Sequence, residues 1–405
     1  MHFFSNNANR CKIRRPRLQS HPSMSELDFQ LRPRVIFGAG VIERLGSCAL
    51  ELGAQRVLVV TDRGVVAAGH FETGRRSLQE AGLDVASFHE FSENPTSAHV
   101  ASGVEICREF NPDLIVGLGG GSSMDCAKGM NFVFSCGGRI QDYWGVGKAT
   151  GDLLPMIAVP TTAGTGSESQ SFALISDAES HVKMACGDSR ACCRVALLDP
   201  QLTVTQPLIV TALTAIDALS HALETYVTRR RTAFSQAFSR QAFRLIVHAL
   251  PRVLEHPQDL EARGNMQLGA CLAGMAIEAS MLGAAHALAN PLTASYNVVH
   301  GQAVGVMLPH VIRFNGKHHP RWYADLLADF ELMQTVSIDE APIELAKQVT
   351  RLIASAGLAT KLTELNVQQD RLPSLASAAM TQWTGTFNPV PLDLPSIQEL
   401  YRQAM

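Results

Sequence analysis

Asp217 and His221 stand four residues apart in Thr214-Ala215-Ile216-Asp217-Ala218-Leu219-Ser220-His221-Ala222-Leu223-Glu224, a segment with helical periodicity. At that spacing a carboxylate and an imidazole share one helix face and can fill two adjacent corners of a metal polyhedron. Alone, such a pair is more often a surface ion pair. Two further histidines change that balance. His286 sits in the apolar run Met281-Leu282-Gly283-Ala284-Ala285-His286-Ala287-Leu288-Ala289, and His300 precedes Gly301 at the start of another apolar helix ending in Leu308-Pro309-His310. Imidazoles in so apolar a setting need partners, because burying one unpaired is costly. One carboxylate with three histidines suits a divalent first-row ion, Fe(II), Zn(II), Ni(II) or Co(II), rather than Mg(II). The remaining histidines read as ordinary: His310 at a helix end, His318 and His319 in a solvated loop, His248 and His256 on helix surfaces.

A second chemical feature is Gly117-Leu118-Gly119-Gly120-Gly121-Ser122-Ser123, which follows a buried strand and leads into Met124-Asp125-Cys126-Ala127-Lys128, read as a helix start. Glycines let backbone N–H groups approach closely and a helix N-terminus favours negative charge, so the segment reads as a pyrophosphate cradle. It is no P-loop, lacking a Gly-Lys-Ser/Thr ending, and Ser122 stands where the usual dinucleotide fingerprint wants glycine or alanine. The acid for a ribose hydroxyl is expected about 20 residues after that fingerprint. Here the best candidate, Asp62, comes before it, after Val59-Val60-Thr61. A carboxylate there accepts from an adenosine ribose hydroxyl and repels a 2'-phosphate, favouring NAD over NADP; the plainer reading is a strand-end turn. Pro160-Thr161-Thr162-Ala163-Gly164-Thr165-Gly166-Ser167-Glu168 crowds hydroxyls and glycines at another strand's exit, suited to further phosphate or ribose contacts.

The elements that position these residues divide the chain. From Val35 to about Asp199 short apolar strands, Arg56 to Asp62, Asp113 to Leu118 and Pro155 to Pro160, alternate with helical patterns. Continuous apolar strands separated by helices imply a parallel sheet covered on both faces. After about Thr205, the stretches Ala212 to Tyr226, Ala233 to Leu254 and Asn265 to Ala289 carry helical periodicity with almost no strand signal. The Pro-containing segment from Leu198 to Pro207 separates the two textures. This gives an α/β domain over residues 26–205 and an all-helical domain over 206–405, with a ligand cleft expected between them.

Composition narrows the function class. The 405 residues suffice for two ordinary domains, and 46% hydrophobic with 18% charged residues indicates a soluble folded protein. Lys+Arg 34 against Asp+Glu 37 leaves no basic excess for nucleic acid. The nine cysteines show no paired Cys-x-x-Cys knuckle, which argues against zinc and disulfide frameworks and fits a reducing cytoplasm. No apolar run reaches the roughly 18 to 20 residues that span a bilayer. The first 25 residues, with Arg10, Lys12, Arg14, Arg15 and Arg17 and no acid, lack a secretory h-region; a disordered extension or a start placed upstream of Met24 fits them better than an organelle transit peptide.

Taken in order, the glycine loop, Pro160 to Glu168, the Asp217–His221 pair and the His286 to His300 spacing resemble the iron-containing, or group III, alcohol dehydrogenases. The resemblance runs from about Phe37-Gly38-Ala39-Gly40 to Leu308-Pro309-His310. It implies a Rossmann-like, dehydroquinate-synthase-like α/β domain holding NAD, with NADP less favoured, and an all-α domain holding one divalent metal, Fe(II) foremost. It also implies a homodimer or larger homo-oligomer. By motif position the metal ligands are Asp217, His221, His286 and His300. The cofactor contacts are Asp62, Asn94, Gly120, Gly121, Ser122, Asp125, Thr161, Thr162, Thr165 and Lys183.

The implied chemistry is hydride transfer between NAD and a small primary alcohol or diol, or in reverse the reduction of an aldehyde, with the metal as Lewis acid. Two positions depart from the family pattern. Where many members carry a proton-relaying histidine four residues after the third ligand, this chain has Asn290, which cannot titrate. Where many read Thr-Asn-Pro-Arg-Pro, it has Thr386-Phe387-Asn388-Pro389-Val390-Pro391, so a carboxylate-bearing substrate loses support. Pocket residues Gln170, Phe172 and Phe387 follow by analogy alone. Competing readings are a glycerol-dehydrogenase-like enzyme, a dehydroquinate-synthase-like lyase, a hydroxyacid–oxoacid transhydrogenase and, in a different class, a non-catalytic NAD-binding scaffold.

Overall fold

The continuous apolar strands serve two cores at once, one on each face of a parallel sheet. In the computed structural model, which describes residues 29–91, 93–330 and 336–405, Leu58, Val60 and Ile115 enter one buried cluster while Val57, Val59, Leu114 and Val116 enter another. Side chains alternate along a strand, so burial on both faces demands an apolar residue at every position. The strands are β1 (Arg34–Phe37), β2 (Arg56–Thr61), β3 (Asp84–Phe88), β4 (Leu114–Gly119), β5 (Gly145–Val146), β6 (Met156–Pro160), β7 (Phe172–Ser176), β8 (Lys183–Gly187) and β9 (Val195–Leu198). Six form one parallel sheet in the order β1-β9-β6-β4-β2-β3, and β5, β8 and β7 form a second, smaller sheet. The N-terminal extension over residues 1–25 lies outside the described residues.

From β2 the chain moves outward to β3, then crosses back to β4 on the other side of β2. Such a reversal leaves a crevice at the strands' carboxyl ends, where open parallel sheets take ligands. Register brings the right ends together: Thr61 lies opposite Leu118, and Gly119 opposite Pro160. Asp62, the glycine run and the segment after Pro160 therefore emerge side by side.

Helices α1 (Leu45–Glu51), α2 (Arg63–Ala67), α3 (His70–Glu80), α4 (Ser97–Phe110) and α5 (Gly121–Cys136) accompany the sheet. The start of α5 corrects the sequence reading: the helix begins at Gly121, capped by Gly120, rather than at Met124. The three longest described helices follow β9, α6 (Leu208–Val227), α7 (Ala233–Glu255) and α8 (Leu260–Ala279), and after them come α9 (Ala284–Tyr296), α10 (His300–Gly316), α11 (Pro320–Leu327), α12 (Ala341–Ser355), α13 (Leu372–Met380) and α14 (Leu394–Gln403). Leu219, Phe243, Leu308, Leu345 and Tyr401 belong to their common core.

Two further expectations need correction. The stretch from Asn265 to Ala289 is not one helix; α8 ends at Ala279 and α9 starts at Ala284 with a bend of 104°. The break is held from elsewhere in the chain, because Glu224 accepts from the Gly283 and Ala285 amides and Asn388 Oδ1 from the Ala284 amide. Side-chain acceptors at those amides start a new helix in a new direction. Although no uninterrupted apolar run is long enough to span a bilayer, α6 as a whole, 20 residues with a mean hydropathy of 1.2, is long and apolar enough to do so. From Ala215 to Val227 every residue of it is buried within the fold, while Leu208 and Ile209 at its start are exposed.

Candidate active site

Helix α6 brings Asp217, His221 and Glu224 onto one buried face, at i, i+4 and i+7. The first turn of α9 adds His286 and the first residue of α10 adds His300. Three imidazole Nε2 atoms surround one carboxylate oxygen: Asp217 Oδ1 lies 3.4 Å from His221, 3.6 Å from His286 and 3.7 Å from His300. Both Asp217 Oδ1 and His286 Nε2 are buried without a hydrogen-bond partner. Buried polar atoms are rarely left so. A tetrahedral ion with bonds of about 2.0–2.2 Å sets its ligand atoms about 3.3–3.6 Å apart. The separations and the orphaned atoms fit a divalent ion at their centre, and Asp217, His221 and His286 alone already form a metal-competent group. His300 is the most exposed of the four, at 33%.

Charge within the cluster is strongly coupled. Burial would raise the Asp217 carboxyl, but His221, His286 and His300 hold it well below the usual carboxylate range. Burial pushes the His300 imidazole down to about 3 and lowers His221 as well. Against the same burial, the Asp217 and Glu224 carboxylates raise His286 to about 9.

Glu224 is the residue the sequence reading missed. Its Oε2 lies 2.6 Å from His286 Nδ1, and Oε1 accepts the Ala285 N–H at 2.6 Å. A carboxylate there holds the proton on Nδ1, so that Nε2, which faces Asp217, is the nitrogen that would give up its proton to a metal ion. The signal was available: Glu224 continues the 217–221 face by one helical turn.

The glycine run is shaped by close neighbours. At Gly119, φ is +150° and a Cβ would lie 2.3 Å from Ser123 Oγ; at Gly121 it would lie 2.7 Å from Thr165. Thr162 stands 3.2 Å from the Cβ position of Gly120, and the Thr161 N–H donates to Gly119 O at 3.0 Å. Asp62 caps α2 through the Val65 N–H and accepts Ser123 Oγ at 3.2 Å. Ser122 Oγ accepts the Asn94 N–H at 3.3 Å, and Lys183 Nζ donates to Asn94 Oδ1 at 3.4 Å. Asp62, Asn94, Gly120, Gly121, Ser122, Thr161, Thr162, Thr165 and Lys183 thus converge on the N-terminus of α5. Asp125 turns elsewhere: its Oδ1 accepts Ser167 Oγ at 2.7 Å. Beside it the buried Lys128 ammonium donates to the Ser167, Gln170 and Phe172 carbonyls, a tie that pins the loop after β6 and was not expected from sequence.

That loop joins the two clusters. Thr162 and Thr165 touch the glycines, while a Cβ at Gly164 would lie 2.5 Å from Thr214 Cβ, one turn before Asp217 on α6. The Lys183 charge also acts on His300. Phe172 and Phe387 flank Trp383, with ring centroids 6.1 Å and 5.8 Å from it, and Gln170 Nε2 donates to Thr165 O. Asn290 Nδ2 donates to Gln382 Oε1 at 2.9 Å.

A glycine-lined helix N-terminus and a three-histidine, one-carboxylate cluster joined by one loop suit metal-assisted hydride transfer, and comparison with known proteins decides the family. Residues 33–200 match the model of the iron-containing alcohol dehydrogenases, and residues 211–405 match that of the same family's C-terminal part. The chain belongs to the iron-containing alcohol dehydrogenase family. It is 33% identical to the NAD-dependent methanol dehydrogenase of Bacillus methanolicus over 93% of this chain and 100% of that protein. It is 35% identical to the 1,3-propanediol dehydrogenase of Citrobacter freundii over 91% of this chain and 96% of that protein. The crystal structure of a 1,3-propanediol oxidoreductase superposes with a TM-score of 0.91 at 33% identity, covering 94% of this chain and 100% of that one. As an iron-containing alcohol dehydrogenase the chain is an oxidoreductase acting on alcohols, in a family whose members use NAD(H) and a divalent metal.

Proposed function

We infer that this protein oxidises a small primary alcohol or diol with NAD, or reduces the matching aldehyde, at one divalent ion held by Asp217, His221, His286 and His300. The observation that carries the reading is the meeting of three Nε2 atoms around the unpartnered Asp217 Oδ1. With its imidazole and carboxylate ligands the site suits Fe(II) first, with Zn(II), Ni(II) or Co(II) as substitutes. Bound there, such an ion would supply Lewis-acid polarisation of the substrate oxygen, and a bound nicotinamide would supply the hydride acceptor.

The chain's own residues do the rest. Backbone amides from Gly120 to Ser122 receive the pyrophosphate at the start of α5. Asp62 accepts from the adenosine ribose and repels a 2'-phosphate, which supports NAD over NADP. Glu224 fixes the His286 tautomer, so the inward lone pair needs no rearrangement before turnover. Phe172, Trp383 and Phe387 supply an apolar wall against water, with the Arg230 guanidinium 5.7 Å from the Phe387 ring centroid. Asn290, bound to Gln382, cannot carry a proton, so the alcohol proton leaves by water or a ribose hydroxyl. Relatives named for methanol and 1,3-propanediol support small alcohols as substrates. We place the nucleotide in residues 26–205 and the metal in 206–405. Among the described residues β1 is an edge strand, and with Phe37 45% exposed it supports a homodimer or larger assembly; a reducing cytoplasm remains our reading for the compartment.

The test is a panel of C1 to C6 primary alcohols, diols and aldehydes, plus hydroxyacid–oxoacid pairs, assayed with added Fe(II), Zn(II), Ni(II) or Co(II) and with NAD or NADP. Metal-dependent NAD reduction by small alcohols is expected. Turnover confined to hydroxyacid–oxoacid pairs, or independent of metal, would refute the reading.

A further inference from the structure

One face of α5 runs from the glycine cradle into a buried polar cluster that hydride transfer, as derived above, does not employ. Gly121, Asp125 and Lys128, at i, i+4 and i+7, share that face. Each meets the loop after β6 at a later point. A Cβ at Gly121 would lie 2.7 Å from Thr165, and Asp125 Oδ1 accepts Ser167 Oγ at 2.7 Å. Lys128 Nζ donates to Ser167 O at 2.6 Å, Gln170 O at 2.7 Å and Phe172 O at 3.1 Å. Ser167 Oγ, its own proton given to Asp125, lies 3.0 Å from the same Nζ. An ammonium has three protons, and three carbonyls of one loop take them. The ionisable groups that face it are the carboxyls of Asp125 and Glu168 and the thiols of Cys192 and Cys193. Lys128 is fully buried, and a buried charge persists only where its bonds are complete.

The two halves of the loop are held differently. The first has ties of its own: the Thr161 N–H donates to Gly119 O at 3.0 Å, Gln267 Nε2 donates to Pro160 O at 2.9 Å, and a Cβ at Gly166 would lie 2.7 Å from Gly274 Cα on α8. Those ties keep Thr162 and Thr165 against the glycines without help from Lys128. The second half is slung between two helices. Ser169 and Ser171 bond to α8, at Cys271 O and the Glu278 carboxylate, while Ser167, Gln170 and Phe172 bond to Lys128 on α5. Phe172 then opens β7, its ring set between Gly187, where a Cβ has no room against it, and Trp383, 6.1 Å away. Lys128 lies about 10 Å along α5 from Gly121 at 1.5 Å per residue. The helix thus spaces the aromatic wall from the seat of the pyrophosphate.

We propose that Lys128 is a positioning residue for hydride transfer: its three carbonyl bonds keep residues 167–172, and with them the Phe172 wall, in register with the cradle, so that alcohol and nicotinamide meet at reacting distance. This rests on the reading of the glycine run as the cofactor cradle and of the histidine cluster as the metal site. The test compares the Fe(II)-loaded parent with Lys128→Met, which keeps the side chain's length and removes the ammonium. The assay uses NAD and whichever of 1-propanol and 1,3-propanediol the parent oxidises faster, unlabelled and deuterated at carbon 1. A fall in kcat of about tenfold to a hundredfold is expected, the scale of a misplacement of about 1 Å. The deuterium isotope effect on kcat should be at least as large as the parent's, because hydride transfer then limits turnover. NADH affinity, read by fluorescence, and iron content should stay within about twofold of the parent. Amide hydrogen exchange across residues 167–172 should quicken about tenfold. Faster exchange or a lower melting temperature with unchanged kcat would mark Lys128 as merely structural and overturn the proposal. A smaller isotope effect, or an NADH affinity that falls as far as kcat, would overturn it as well. If Lys128→Met fails to fold, Ser167→Ala decides, since it loosens the loop from Asp125 but keeps the ammonium and its carbonyls. There kcat should fall about fivefold, the scale of one hydrogen bond, and a parent-like kcat overturns the proposal. A parent that oxidises neither alcohol refutes the functional reading and the proposal with it, whereas an active parent with a parent-like variant overturns the proposal alone.

Discussion

Replacing Glu224 by glutamine changes one oxygen to an NH2 group and should cost the protein most of its metal affinity. The carboxylate meets three donors: His286 Nδ1 at 2.6 Å and the Gly283 N–H at 3.2 Å on Oε2, and the Ala285 N–H at 2.6 Å on Oε1. A glutamine oxygen can occupy only one of those positions. With the oxygen toward Ala285, the NH2 faces Gly283 and His286, and the imidazole accommodates it by moving its proton to Nε2, closing the lone pair that faces Asp217. With the oxygen toward His286, two donors collide at the Ala285 amide. Either arrangement loses at least one charge-assisted hydrogen bond, about 1.5–3 kcal/mol. Substituting the partner of a ligating histidine costs about 10–100-fold in metal affinity, the same range at 1.4 kcal/mol per tenfold. Competition for Zn(II) or Co(II) against a chromophoric chelator measures the loss, and circular dichroism checks the fold. A folded Glu224→Gln variant within about twofold of the parent affinity would refute the assigned role of Glu224.

Gly119→Ala places a Cβ 2.3 Å from Ser123 Oγ at φ +150°, strain of about 1–3 kcal/mol at the cradle. NADH binding, followed by fluorescence, should weaken about tenfold with metal content unchanged; unchanged binding would remove the cradle from the glycine run. Asp62→Ser keeps an oxygen for the Val65 N–H and so should preserve stability, while NADP gains on NAD by about tenfold in kcat/KM, the scale of one bond to a charged group. An unaltered ratio would mean that cofactor choice is set elsewhere. Glu168 is buried, and desolvation pushes its carboxyl from 4.5 up to about 7. A raised carboxyl pKa destabilises the fold only once the unfolded chain ionises, so the cost is absent below about pH 4.5, grows to about pH 7 and then stays level. Thermal melts of Glu168→Gln and parent should diverge in the variant's favour between about pH 5 and pH 8, by on the order of 3 kcal/mol; a pH-independent difference would show that Glu168 is not held protonated.

The parts of the fold that read plainly from sequence are those whose burial is complete. β4 and β6 lie between two cores and are apolar at every position, as β2 is from Val57 to Val60, and α6, α7 and α10 carry apolar faces over many turns. The smaller sheet was not read because β5 has two residues and β7 and β8 leave Leu174 and Lys183 exposed, which breaks any run. The bend between α8 and α9 is invisible locally, since its acceptors, Glu224 and Asn388, lie far away in the chain. Asn290 shows the same limit: its departure from the family pattern is legible, its bond to Gln382, 92 residues on, is not. Spacing joined Asp217 to His221, and the resemblance to the family's motifs joined His286 and His300 to them; the fold brings all four side chains together. Glu224 shares their helix face but looks, in sequence, like any acid near a helix end. Lys128 carries no local signal of burial and is fully buried.

The account stands on one claim, that Asp217, His221, His286 and His300 hold a single divalent ion. Elemental analysis of parent and Asp217→Ala, both loaded anaerobically with Fe(II), desalted and shown to be folded, tests it directly. The parent should retain about one ion per chain and the variant almost none, because Asp217 Oδ1 is the atom that all three imidazoles face. A folded Asp217→Ala variant that keeps its iron would contradict the account.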